Sequence, residues 1–262
     1  MPLLTLQQLA ARERTRQRNR QLGALLAFMA GAVNAGGFLA VQRYTSHMTG
    51  VVSSIADDLV LGHGLLVLAG LGALLAFVAG AATTAILINW ARRRDLQGEY
   101  ALSLALEALL LLLFGVLGAN LNELIEVFMP TTVLLLCFIM GLQNAIVTKI
   151  SQAEIRTTHM TGVVTDLGIE IGRALDGLRR QPLDAAQHPP VHGDPSRMVV
   201  LAGLLIAFMA GAVAGAYGFK SVGYVFTVPL ALVLAALAAV PALDDLRRDP
   251  ISDRINDQVN DR

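Results

Sequence analysis

The sequence has a single cysteine, Cys137, and it lies inside an apolar run. That excludes a disulfide framework and a zinc-type ligand cluster. Charge is scarce as well. Asp, Glu, Lys and Arg make up 15% of the 262 residues, where a soluble domain carries about a quarter. The charges are also segregated: 12–20, 92–95, 173–197 and 244–262 hold most of them. No nucleotide-binding motif is present, so no cofactor is expected and any transport would be passive or ion-coupled. Nothing in the sequence suggests nucleic acid as a partner. The first twenty residues are polar and basic, with no short apolar core or cleavage site, so no cleaved signal peptide is expected.

What fills the space is hydrophobic: 55% of the residues, in long uncharged runs, with a mean hydropathy of +0.59. This composition describes an all-α membrane protein that crosses the bilayer several times. Six spans are expected, at about 22–42, 64–90, 101–119, 131–148, 198–218 and 222–241. A basic helix over 1–21 precedes them, and a charged, disordered tail over 243–262 follows. Lys and Arg mark the cytoplasmic side. The N-terminus, 92–94, the loop 174–197 with its flanks and 247–248 are arginine-rich, whereas the link 120–130 has no Lys or Arg. Six spans with both termini cytoplasmic satisfy all of these.

The chain carries one stretch twice. Residues 47–52 read HMTGVV, and so do residues 159–164, 112 positions later. Around them Ser53 matches Thr165, Asp58 matches Glu170, and AGAVNAGGF (30–38) matches IMGLQNAIV (139–147), which sets Asn34 opposite Asn144. The duplication divides the membrane region into one repeat over 22–120 and another over 121–242. Each repeat holds three spans, an odd number, so the halves are expected to be inverted. The runs 24–36, 73–85 and 204–216 also share a small-residue face. Close helix packing is the plain reading of that face; hinges and a homo-oligomer contact are the others.

Each HMTG segment reads as a helix start, with Ser or Thr capping free backbone N–H groups. Such an N-terminus suits a polar or anionic ligand. Half-length or re-entrant helices meeting near the midplane of inverted repeats are a recurring transporter plan. On that plan His47, Thr49 and Gly50 face His159, Thr161 and Gly162 across one substrate site, with Asn34, Gln143 and Asn144 as further contacts. The competing reading lays both segments at the interface as amphipathic helices, with Asp57, Asp58, Asp166 and Glu170 in water. The histidines themselves read as structural, as substrate- or proton-binding, or, with Met48 and Met160, as a soft-metal site that no dense cluster supports; no metal is expected. Glu107, inside the third span, and Asp58 and Glu170 are candidates for a proton or ion relay. Arg43 and Arg156, just before the two segments, are anion attractors or interface anchors.

The HMTG segments, AGxxNAxGF, MGLQNAxVT and the RTTHMTGVVTDLG run resemble the YoaK family of bacterial membrane proteins, whose function is unknown. The likeness covers about 22–241 and departs at Val51, where the family pattern has Asn. It implies a bacterial inner-membrane protein with about six spans and supplies no substrate. The expectation is a permease for a small polar or anionic solute, not an enzyme. An intramembrane enzyme acting on a lipid or quinone, and a structural or sensory membrane protein, are the alternatives.

Overall fold

A computed structural model describes residues 16–96, 98–120, 125–150, 160–179 and 193–247. All regular structure among these residues is helical: α1 (Arg16–Val41), α2 (Met48–Val60), α3 (Gly64–Arg93), α4 (Ala101–Ala119), α5 (Ile125–Ile150), α6 (Met160–Arg179), α7 (Pro195–Val222), a 3-10 turn (Gly223–Phe226) and α8 (Thr227–Arg247). Five stretches are long and apolar enough to cross a membrane: Arg20–Val41, Gly64–Arg93, Ala101–Ala119, Phe128–Lys149 and Pro195–Leu243. The last is 49 residues long. As one helix it would measure about 70 Å, more than twice the hydrocarbon core. It is broken at the 3-10 turn, where Gly223 takes φ +66°, a conformation glycine adopts without strain. Each of the six expected spans therefore finds a helix.

Two boundaries differ from expectation. Helix α5 starts at Ile125 and carries Pro130 in its second turn, where the missing N–H costs the bond to the carbonyl of residue 126. Helix α8 passes Pro241 and continues to Arg247, so the first part of the expected tail is helical. The expected basic helix up to residue 15, the link 121–124, most of the loop 174–197 and residues 248–262 lie outside the described residues.

The spans are arranged as tight pairs. Helices α1 and α7 run parallel: Arg20 donates to Ser196 Oγ at 3.2 Å, Gly31 meets Phe208, and Gly36 meets the Phe219 ring. Helices α3 and α5 also run parallel, with Gly72 against Leu134 and Gly80 against Phe138. Helix α4 lies antiparallel to α8, with Gly118 against Tyr224 and Gly115 against Thr227. Leu26, Met29, Leu111, Phe114, Leu136, Ile139, Met140, Leu142, Ile146 and Leu234 fill the centre and are fully buried.

Both parallel crossings use the same device. Phe28 and Gly31 of α1 meet Phe208 and Gly211 of α7, and each glycine rests on the other helix's phenylalanine carbonyl. A Cβ at Gly31 would lie 2.1 Å from the Phe208 oxygen, and one at Gly211 would lie 1.9 Å from the Phe28 oxygen. At the other crossing Gly80 rests on Phe138 (2.1 Å) and Gly141 on Phe77 (2.0 Å) in the same way. No hydrophobic force holds helices together in lipid, so backbone contact of this kind supplies the packing. One turn on, Gly215 covers the Ala32 carbonyl, while in the corresponding place the Thr84 hydroxyl donates to the Leu142 carbonyl at 3.0 Å. The small-residue faces read from the sequence are thus helix contacts.

Candidate functional site

Helix α1 ends at Val41, and Gln42 adopts φ +54° with its N–H on the Phe38 carbonyl at 2.8 Å. A left-handed residue closes a helix in this way. The turn folds Tyr44 back onto Phe38, ring stacked on ring at 4.7 Å. Ser46 then donates to Asn34 Oδ1 at 2.8 Å, tying the segment to the span from which it came.

Helix α2 starts at Met48, as expected, but its capping differs from the expected Ser or Thr. The N-cap is His47, and no side chain bonds to the first-turn N–H groups. The Ser46 hydroxyl is taken by Asn34, and Thr45 is buried with its hydroxyl unbonded among the described residues. The His47 ring folds over the first turn, where a Cβ at Gly50 would lie 2.4 Å from its Cδ2 atom. The His-x-x-Gly spacing therefore has a packing reason: Gly50 makes room for the ring.

These side chains line a cleft of about 650 Å³. Its walls are Asn34, Ala35, Phe38 and Leu39 of α1, with Tyr44, Ser46 and His47. Met160 and Thr161 of α6 complete it, with Phe208, Met209, Ala212, Val213 and Ala216 of α7. Residues from both HMTG segments thus border one space, although the pairing is His47 with Thr161 rather than with Thr49. The lining is mostly apolar, with an amide, hydroxyls and an imidazole, as small-molecule sites tend to be.

A family described as "Protein of unknown function (DUF1275)" matches residues 22–240. The chain belongs to this family. The transmembrane protein YoaK of Bacillus subtilis is 28% identical over 147 residues, which cover 55% of this chain and 63% of the relative. No solved structure matches the chain. Together with the apolar helices, these likenesses make it a multi-pass membrane protein of the YoaK family, with the lipid bilayer as its surroundings.

The other residues singled out in the sequence go elsewhere. Thr49, Gly50 and Gly162 do not line the cleft. His159 and Arg156 lie outside the described residues. Asn144 is half-buried on α5 at the position equivalent to Asn34, while its neighbour Gln143 is fully buried in the core. Gln143 has no hydrogen-bond partner among the described residues. Glu107 is likewise fully buried, and neither carboxylate oxygen has a partner there. Among the described residues no cluster of three His, Cys, Asp or Glu could hold a metal.

Asp58 and Glu170 occupy equivalent joints. Asp58 meets His63 Nδ1 at 3.2 Å, and His63 is the N-cap of α3. Glu170 accepts from the backbone N–H of Asp194 at 3.0 Å, and Asp194 is the N-cap of α7. Glu170 also bonds Arg173 at 2.9 Å and Arg197 at 3.5 Å, while Arg197 reaches Asp166 at 3.2 Å. Each short helix is thereby fastened to the start of the span that follows it.

Sequence reasoning did not single out Phe38, Tyr44 or the α7 wall. The Phe38–Tyr44 stack depends on the left-handed Gln42, which no turn residue announces. For α7 the signal was present in the small-residue face of 204–216, which read as packing; one side of it packs and the other lines the cleft.

Proposed function

We propose that the protein is a six-span permease of the bacterial inner membrane, moving a small polar solute through the cleft between α1, α7 and the two HMTG segments. The observation that carries this reading is the convergence of Asn34, Ser46 and His47 from the first half with Met160 and Thr161 from the second around about 650 Å³. A site assembled at the junction of duplicated halves is where such transporters bind their cargo.

Support for inverted repeats comes from the course of the chain. The link after α3 folds back with Arg92 paired to Glu99, so α4 runs against α3. The 3-10 turn reverses α7 into α8, and α8 lies against α4. The α1–α7 pair then runs opposite to the α3–α5 pair, so the start of α1 and the end of α8 share a face with Arg92, Arg93 and Arg197. Of the three relay candidates, Asp58 and Glu170 are engaged at the joints, which leaves Glu107 for a coupling ion.

Among the described residues that line the cleft, His47 and the Tyr44 phenol are the only ionisable side chains. A neutral solute bearing hydroxyl or amide groups therefore fits better than an anion. The test is thermal unfolding of the purified protein in detergent against panels of polyols, amides, amino acids and monocarboxylates. One neutral class should raise the midpoint of the native chain saturably, and Asn34→Ala should lose that response. If no class shifts the midpoint, the reading fails.

A further inference from the structure

We infer that the protein carries a second polar cleft, at the α3–α5 crossing, built from Asn144, Met48 and Thr49 against Phe77, Val78 and Ala81, and open to the opposite face of the membrane. The inference rests on the permease reading only for its ligand, a neutral polar solute; the geometry stands separately.

The geometry is the reciprocity of the two crossings. The reciprocal seating of glycine on phenylalanine carbonyl joins Gly31 with Gly211 at α1–α7 and Gly80 with Gly141 at α3–α5, all within 1.9–2.1 Å of a built Cβ. Two equivalent contacts at each crossing, made by four residues in each case, fix the register: α1 corresponds to α5, and α3 to α7. The joints obey the same correspondence. Asp58 reaches the N-cap of α3, and Glu170 reaches the N-cap of α7.

The observed cleft is placed by this register. Asn34 lies three residues past Gly31, and Ala212 and Val213 lie just past Gly211, with Met160 and Thr161 from the helix preceding α7. Moving to the other crossing, Asn144 lies three residues past Gly141, Ala81 and Ala82 lie just past Gly80, and Met48 and Thr49 begin the helix preceding α3. Asn34 and Asn144 are both half-buried. Part of the polar chemistry is kept: an amide and a threonine hydroxyl at each, beside a methionine. The apolar wall is no bulkier, since Val78 stands for Met209 and Ala82 for Val213.

Opposite opening follows from direction. Each cleft lies past its crossing glycines, toward the C-terminal ends of its paired spans. The two pairs run in opposite senses, so "past the glycine" means toward opposite faces. The backbone contacts make each pair a rigid unit, because a shift of either helix would break the glycine seating. Movement between clefts then falls to the contacts joining the pairs, such as Leu136 against Gly37, which are made by side chains.

The test uses thiol accessibility in full-length protein carrying C137A. Single variants A212C and A81C are expressed in cells, and right-side-out and inverted vesicles are treated with a membrane-impermeant maleimide. A second pair, V213C and A82C, covers the case in which either first variant fails to reach the membrane. Labelling of the α7 position from one face and of the α3 position from the other supports the second cleft. Labelling of both from the same face, or of the α3 positions from neither face while α7 reacts, overturns it. Opposite labelling that no polar solute slows would leave the paired clefts standing and count against the permease reading instead.

Discussion

Replacing Gly211 by alanine is the sharpest test of how the spans are held. The added Cβ would lie 1.9 Å from the Phe28 carbonyl oxygen, 2.6 Å from its carbon and 2.8 Å from its Cα. Ordinary contact needs about 3.4 Å, and the obstructing atoms are backbone, so no rotamer can relieve the clash. The α1 and α7 axes must separate by about 1.5 Å at the crossing, which forfeits a large part of the dispersion well for every atom pair there. Overpacking commonly costs about 1–3 kcal/mol, and the rigid obstruction places this substitution near the upper end, at about 3 kcal/mol. Gly141→Ala, 2.0 Å from the Phe77 oxygen, should behave alike at the other crossing. Gly203 lies on the same helix as Gly211 with nothing within 4 Å of a built Cβ. Gly203→Ala should leave stability unchanged or raise it by about 0.5–1 kcal/mol through helix propensity. Reversible unfolding by denaturing detergent, followed by circular dichroism, measures all three. If Gly211→Ala and Gly203→Ala unfold together, the backbone-contact account is wrong.

Gly50→Ala should differ in kind, because the obstructing group is the exposed His47 ring, which can rotate away. Stability should fall by less than about 1 kcal/mol, while any solute-induced rise in the unfolding midpoint is lost. Glu170→Gln should keep a bond from the Asp194 N–H and lose the pairs to Arg173 and Arg197. Because both arginines are about half exposed (45% and 51%), the cost should be about 1–2 kcal/mol, read by the same unfolding assay. Faster proteolysis near the α6–α7 connection should accompany it. Thr84→Val removes the hydroxyl bond to Leu142 and should cost about 1 kcal/mol, whereas Thr84→Gly should restore part of that by reproducing the contact made by Gly215.

The sequence alone determined the class and the plan. Several uncharged apolar runs, each long enough to span the hydrocarbon core, mark a chain that crosses a bilayer repeatedly. Each of the six expected spans corresponds to a helix, and 101–119 coincides with α4. The duplicated HMTG stretch marked where α2 and α6 begin, because a repeat of six residues survives only where each has a fixed place.

What the tertiary structure decided is what each marked residue touches. Glu107 and Gln143 looked like Asn34 in the sequence, as polar groups in apolar runs, yet two are buried in the core and the third lines the cleft. The difference is which face of a span packs inward, and no single span's composition encodes that. Asp58 and Glu170 read as relay candidates, and only the fold shows the N-caps of α3 and α7 beside them, a contact made across a chain reversal. The glycines read as packing groups from their spacing, but only the crossing shows that four of them seat on phenylalanine carbonyls in two matched pairs. The physical reason is common to all. Hydropathy acts on each helix by itself and is written along the chain, whereas close packing is a relation between two surfaces and exists only once both are in place.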